Sequence, residues 1–161
     1  MTDTTNRGGL FAADDADAPL AARIRPSSFE EMVGQEHLIA PGSMLRRAVE
    51  QDRLPSLLLV GPAGSGKSTL ALIIAEHTNK RFERMSAVSS GVGDVREAAK
   101  AAEDARDLHD TGTIVFLDEI HRLAKNQQDA LLPHVEQGTF TLIGATTENP
   151  FYTIISPLRS R

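Results

Sequence analysis

A nine-residue stretch, GPAGSGKST at residues 61–69, has the composition and spacing of a phosphate-binding loop. Its fixed positions in the pattern G-x-x-x-x-G-K-[ST] are Gly61, Gly66, Lys67 and Ser68. Glycines permit positive φ angles and leave room for a phosphate, and the N–H groups that open a following helix favour an anion. Lysine and serine add a cation for the β- and γ-phosphates and a hydroxyl for Mg²⁺. The stretch therefore predicts a site for a nucleoside triphosphate.

The elements on either side of this loop strengthen the prediction. Leu57–Val60 is an apolar run with the length of a buried strand, and residues 70–76 read as the first turns of a buried helix. A strand, a glycine-rich loop and a helix form the context in which the pattern marks a phosphate site. The alternative is a glycine-rich turn that binds nothing. The predicted phosphate contacts are Gly61, Pro62, Ala63, Gly64, Ser65, Gly66, Lys67, Ser68 and Thr69.

Two acids follow a second apolar run. Residues 113–117 (TIVFL) predict a strand that is buried on both faces, and they lead directly into Asp118 and Glu119. Asp118 would hold Mg²⁺ through its water shell, and Glu119 would polarise the attacking water. The alternative is a pair of exposed loop acids. Thr147 follows another predicted strand, and its hydroxyl either bonds the γ-phosphate or the attacking water, or is simply a strand-end threonine.

The pattern of elements predicts a doubly wound, parallel α/β sheet with the ligand at the carboxyl ends of the strands. The predicted strands are 57–60, 82–88, 113–117 and 139–144. Residues 23–26 are expected to be extended. Helices are expected at 28–32, at 44–51 after the cap Ser43, at 95–108 after Asp94, and at 127–137 after Asn126, with a kink or break at Pro133.

Composition limits the possible classes of protein. The 161 residues suit one domain, with 40% apolar and 24% charged residues. The absence of cysteine excludes disulfides and thiolate metal sites. Residues 1–18 are acidic and polar and are expected to form a disordered tail, while residues 19–161 form the nucleotide-binding core. No apolar run reaches membrane-spanning length, so we expect a cytoplasmic protein without membrane partners. The formal net charge is −5, so the sequence does not have the excess of basic residues that is typical of a protein that binds nucleic acid on its own.

LDEIH at residues 117–121 and GATTENP at residues 144–150 resemble the AAA+ ATPases. Similar stretches run through residues 19–161, and NQQDALLPHVEQGT and IGATTENP resemble the replication-associated recombination protein A (RarA) family in particular, whose eukaryotic relative is the Werner-helicase-interacting protein. The resemblance implies the AAA+ core fold and an ATPase that uses ATP and Mg²⁺ at stalled forks and single-strand/double-strand DNA junctions. It also implies tetramers, a single-strand-binding protein as partner, and a nucleoid-associated location.

The resemblance also assigns roles to residues. Lys67 and Ser68 fall in the Walker A motif, Asp118 and Glu119 in Walker B, and Thr147 at sensor one. Arg161 falls where the family places an arginine that acts on the ATP of a neighbouring subunit. The adenine pocket is expected at Arg25, Pro26, Val33 and Gly34. The family has a helical lid and an oligomerisation region after this core, and without them we expect weak nucleotide binding and very slow hydrolysis.

Three alternatives remain. The Holliday-junction motor RuvB shares the DEIHRL-type strand end but has a long hairpin before the sensor-one strand, where this sequence has only Gln137 and Gly138. A clamp-loader subunit shares the serine–arginine pair but lacks the NQQDALLPHVE stretch. A nucleotide-binding scaffold would need no turnover, and the presence of both Lys67 and Glu119 argues against it.

Overall fold

A parallel sheet forms the centre of the protein. The computed structural model describes residues 19–161, so the predicted disordered tail lies outside the described residues. The strands are β1 (Leu57–Val60), β2 (Arg81–Ser86), β3 (Thr113–Asp118) and β4 (Thr141–Thr146), in the spatial order β1–β4–β3–β2. The bounds of β1 match the prediction, whereas β2 ends earlier and β4 begins and ends later than predicted.

Helices lie around this sheet, and the first three α-helices precede its first strand in the chain. The α-helices are α1 (Leu20–Arg23), α2 (Glu36–Ile39), α3 (Met44–Glu50), α4 (Lys67–Glu76), α5 (Val92–His109), α6 (Lys125–Glu136), α7 (Pro150–Thr153) and α8 (Ser156–Arg159). Two short 3-10 helices lie at Phe29–Glu31 and Ile120–Arg122. Among the helices of residues 19–161, none has the length and apolarity needed to cross a membrane.

The alternating side chains of β3 explain its continuous apolar sequence. Val115 and Leu117 belong to a core that includes buried residues of α5 and α6. Ile114 and Phe116 belong to a second core, which includes buried residues of α3 and α4. Because successive side chains of a strand point to opposite faces, a strand covered on both faces must be apolar throughout. The predicted doubly wound α/β architecture is confirmed.

The starts of α5 and α6 differ from the predictions. Asp94 is not the N-cap of α5, which is Gly91. Asp94 is the third residue of the helix, and its carboxylate accepts a hydrogen bond from the Gly91 N–H at 2.6 Å. Asn126 is not a cap either, since the Gln127 side chain accepts from the Ala124 N–H at 2.8 Å. In both helices the side chain at the third position reaches back to the cap residue. Gly91 and Ala124 have no polar side chain that could signal the cap in the sequence.

Two further local predictions were wrong in part. Pro133 does not break α6, which continues to Glu136. The hydrogen bond that this proline cannot donate is the one to the carbonyl of Asp129, and both residues are exposed, so water can supply it. Near the start of the described chain, Arg23 ends helix α1 instead of opening an extended segment. The predicted cap Ser43 is confirmed, because its side chain accepts from the Arg46 N–H at 3.3 Å.

Candidate active site

A cleft of about 760 Å³ lies at the carboxyl ends of β1, β3 and β4. One side consists of the loop residues from Ala63 to Thr69, and Asp118, Glu119 and Thr147 lie beside them. The opposite wall comes from the segment before β1 and includes Arg25, Pro26, Met32 and Val33. Most of the predicted site residues therefore line one cavity. The residues predicted for the site that do not line it are Gly61, Pro62, Gly34 and Arg161.

The strand register brings these side chains together. β4 pairs with β1 on one side and with β3 on the other, with Val60 opposite Thr146 and Leu117 opposite Gly144. A glycine at position 144 allows close packing here, because a Cβ would lie 3.0 Å from Cδ1 of Ile120 and 3.1 Å from Cδ1 of Leu58, and these side chains would have to shift. The segment that follows the two acids can therefore pack closely against β4.

The phosphate loop has the backbone that its sequence predicts. Gly64 and Gly66 have φ angles of +76° and +90°, which a side chain would disfavour. Helix α4 begins at Lys67, so its first N–H groups open towards the cleft. The Lys67 ammonium donates to the carbonyls of Gly61 at 2.8 Å and Pro62 at 2.7 Å, and its Nζ lies 3.4 Å from Oγ of Ser65. Gly61 and Pro62 therefore do not line the cleft, but their carbonyls bond the lysine that does.

Asp118 and Glu119 lie at a sharp change in backbone direction. Asp118 ends β3, and its Oδ1 accepts from the Glu119 N–H at 3.0 Å. Glu119 has φ +53° and ψ +44°, a left-handed conformation that is uncommon for any residue except glycine. Its carbonyl accepts from the Arg122 N–H at 2.8 Å, and its carboxylate lies 3.7 Å from Nε of Arg122. These contacts hold Glu119 in a strained conformation at the edge of the cleft.

Thr146 and Thr147 differ sharply in environment. Thr146 ends β4 and is buried, and its Oγ1 lies 2.9 Å from Nδ1 of His121 and accepts from the Glu148 N–H at 3.0 Å. Thr147 is the first residue beyond the strand and is exposed to the cleft. The contact between Thr146 and His121 ties the segment after Glu119 to the end of β4. Sequence reasoning did not find this contact, because only the position of His121 two residues after Glu119 could have indicated it.

Arg161 lies away from the cleft of its own chain. Its Nε and Nη2 are 3.0 and 2.9 Å from Oε1 of Glu136, the last residue of α6. The structure therefore does not bring Arg161 together with the other predicted site residues of this chain.

The donor set suits Mg²⁺ bound together with a nucleotide. Ser68 and Asp118 both line the cleft and carry side-chain oxygens, and Oδ2 of Asp118 lies 3.4 Å from Nη2 of Arg84. Within residues 19–161, no three imidazole or carboxylate side chains converge as a metal cage would require. Mg²⁺ at nucleotide sites takes one or two protein oxygens and completes its shell with phosphates and water. The two residues fit that role.

Comparison with known proteins identifies the family. Residues 57–161 match AAA, the ATPase family associated with various cellular activities. The chain belongs to the AAA family. This AAA chain is 51% identical over 152 residues to replication-associated recombination protein A of Escherichia coli K12, covering 94% of the chain and 34% of that protein. It is 43% identical over 144 residues to ATPase WRNIP1 of Dictyostelium discoideum, covering 89% of the chain and 16% of that protein.

Solved structures show the same AAA architecture. The Thermotoga maritima RuvB Holliday junction branch migration motor superposes with a TM-score of 0.70 at 36% identity, covering 86% of this chain and 46% of that one. The predicted AAA+ core fold and the resemblance to the recombination protein family are confirmed. The chain spans about a third of the length of its E. coli relative, 34%.

The left-handed backbone of Glu119 predicts an inverted preference between glycine and alanine. Because a Cβ is disfavoured at this φ, we expect Glu119→Gly to be more stable than Glu119→Ala by about 1 kcal/mol. The free energy of unfolding of both variants is measured with denaturant. Glu103, exposed within α5, provides the control pair, where alanine should exceed glycine by about 1 kcal/mol. Alanine being favoured at both positions would contradict the strain at Glu119.

Proposed function

We propose that this AAA chain binds ATP with Mg²⁺ in the cleft and is the nucleotide-hydrolysing core of a DNA-dependent ATPase of replication-fork maintenance and recombination. The observation that carries the proposal is the convergence of the phosphate loop, two acids and a hydroxyl on one cavity at adjacent strand ends. The proposed nucleotide-binding domain comprises residues 19–161.

The chemistry divides among the cleft residues. The loop N–H groups and Lys67 bind the β- and γ-phosphates. Ser68 and Asp118 would hold Mg²⁺, which would supply positive charge to the phosphates. Glu119 orients the attacking water and accepts a proton from it as a general base. Thr147 offers a hydroxyl to the γ-phosphate or to that water.

The wall opposite the loop is proposed to hold the adenine base. Arg25, Pro26 and Val33 line this part of the cleft, and the Val33 side chain is exposed, with 97% of the residue's surface accessible. An aromatic base packed on these residues would bury apolar surface that is otherwise in water. Gly34 follows with φ +87° and allows the chain to turn away after Val33.

Arg161 is proposed to act on the ATP of a neighbouring copy. Its side chain lies outside the cleft of its own chain. In other nucleotide-hydrolysing enzymes, an arginine that stabilises the transition state raises the rate of hydrolysis by a factor of about 10³ to 10⁵. Such a site is complete only in an oligomer, and the tetramer of the resembled family satisfies this requirement.

The names of the relatives support the proposed DNA substrate. The E. coli relative is a replication-associated recombination protein, and we propose forked DNA or DNA with single-stranded ends, a single-strand-binding protein as partner, and a cytoplasmic, nucleoid-associated location. RuvB is the second candidate because of its structural similarity. Here α6 ends at Glu136 and β4 begins at Thr141, and the four residues between them leave no room for a hairpin of the RuvB kind. This favours the recombination protein.

Glu119→Gln separates binding from hydrolysis. The amide keeps the shape of the side chain but cannot accept the proton of water, so we expect hydrolysis to fall about 10²- to 10⁴-fold. The dissociation constant for ATP should stay within about twofold. Single-turnover phosphate release and calorimetric titration measure the two quantities. Asp129→Asn, an exposed acid on α6, is the control and should change neither. If Glu119→Gln hydrolyses ATP as fast as the unchanged chain, Glu119 is not the residue that orients the water.

A mixing experiment tests Arg161. Arg161→Ala should retain ATP binding and lose hydrolysis by about 10³-fold or more, because the charge that stabilises the transition state is absent. Lys67→Ala should lose ATP binding but still carry Arg161. Adding Lys67→Ala chains to Arg161→Ala chains should restore part of the phosphate release, which increases with protein concentration. No recovery at any ratio would indicate that Arg161 does not act between copies.

DNA of defined structure distinguishes the candidate functions. We expect forked DNA with single-stranded ends to accelerate phosphate release, by about tenfold, which corresponds to about 1.4 kcal/mol of barrier. A four-way junction of the same length and a blunt duplex are the controls. Acceleration by the four-way junction alone would favour a RuvB-like motor. ATP binding without hydrolysis under all conditions would favour the scaffold module.

A further inference from the structure

One wall of the cleft does not come from the sheet. Arg25 and Pro26 precede, and Met32 and Val33 follow, the 3-10 helix Phe29–Glu31. A 3-10 helix of three residues has too few hydrogen bonds to be stable alone. The position of this wall relative to the phosphate loop must therefore depend on what holds the short helix.

Arg46 of α3 contacts this short helix from a distant part of the sequence. Its Nη2 forms an ion pair with the carboxylate of Glu30, and its guanidinium carbon lies 5.0 Å from the centre of the Phe29 ring. The same side chain donates from Nε to Oε1 of Glu50 at 3.0 Å and from Nη1 to the carbonyl of Ile39 at 3.4 Å. One guanidinium thus joins the 3-10 helix, the end of α2 and α3. Arg46 itself does not line the cleft.

Phe29 extends this connection to the phosphate loop. Its ring is buried and lies 4.9 Å, centre to centre, from the ring of His77, the residue that caps the end of α4. Phe29 also belongs to the same buried core as Ile73 and Ile74 of that helix. Because α4 begins at Lys67, the wall and the loop are fixed relative to each other through Phe29 and α4.

Each of the two ion pairs of Arg46 is weak by itself. The side chains of Glu30 and Glu50 are 61% and 54% exposed, and exposed ion pairs contribute little to stability. The hydrogen bond from Arg46 lowers the pKa of the Glu30 carboxyl. What distinguishes Arg46 is geometry, because a planar guanidinium can bond two carboxylates and a carbonyl while lying near an aromatic ring, and lysine cannot.

We infer that Arg46 is a positioning residue that sets the affinity for the nucleoside part of the nucleotide, whereas the triphosphate is held by the loop. The inference rests on the proposed binding of ATP in this cleft. Without Arg46 the wall samples other positions, and the apparent dissociation constant rises in inverse proportion to the fraction of chains with the wall in place. A wall in place one-tenth of the time weakens ATP binding about tenfold.

Two ligands separate the wall from the loop. ATP needs both, whereas inorganic tripolyphosphate needs the loop alone, so each is titrated calorimetrically in the presence of Mg²⁺. We expect Arg46→Ala to weaken ATP about tenfold and to leave tripolyphosphate within about twofold. Arg46→Lys, which keeps the charge and loses the planar group, should lie between the wild-type chain and Arg46→Ala. The matched control is Arg47→Ala, an exposed arginine at the next position of α3, which should change neither affinity.

A milder variant guards against unfolding. Glu30→Gln changes one exposed partner of Arg46 and should weaken ATP less than Arg46→Ala does, again without affecting tripolyphosphate. Equal losses for both ligands, or no loss for ATP, would overturn the role of Arg46. If the wild-type chain binds tripolyphosphate but gains nothing from the nucleoside of ATP, the wall has no such role. If it binds neither ligand, the proposed ATP site itself is wrong.

Discussion

Gly61 donates its N–H to the carbonyl of Thr146 across 3.1 Å, and this bond extends the parallel pairing of β1 and β4 into the phosphate loop. β4 pairs on its other side with β3, so the loop, the two acids and Thr147 follow three neighbouring strands. Their relative positions are therefore set by backbone hydrogen bonds. Because the sheet needs no particular polar side chain at these ends, the residues there can serve the chemistry of phosphate transfer.

The parts of the fold that could be predicted are those whose signal is local in the sequence. β1 and β3 are uninterrupted apolar runs, since strands covered on both faces expose no polar side chain. The start of α5 could not be predicted correctly, because Gly91 is capped by a side chain from within the helix. The continuation of α6 through Pro133 depends on the solvent exposure of that position, which one sequence does not reveal.

The candidate site divides in the same way. The loop and the acids have short, recognisable spacing, so their convergence in one cleft follows from the order of the strands. The tie between His121 and Thr146 joins residues 25 positions apart, and the ion pair between Arg46 and Glu30 joins residues 16 apart. Such contacts depend on how short helices pack against the sheet. The strained backbone of Glu119 is held by contacts with Asp118 and Arg122, and nothing in the residue type of Glu119 indicates it.

Lys67 already has three partners within its own loop. A phosphate group that enters the cleft therefore exchanges existing hydrogen bonds for new ones, and its net gain is a difference between the two sets. The ammonium is charged in both sets of bonds, and a phosphate oxygen adds a negative charge on the acceptor. The affinity of the loop for a phosphate group therefore depends on how much stronger the new bonds are than those that Lys67 makes to the carbonyls of Gly61 and Pro62.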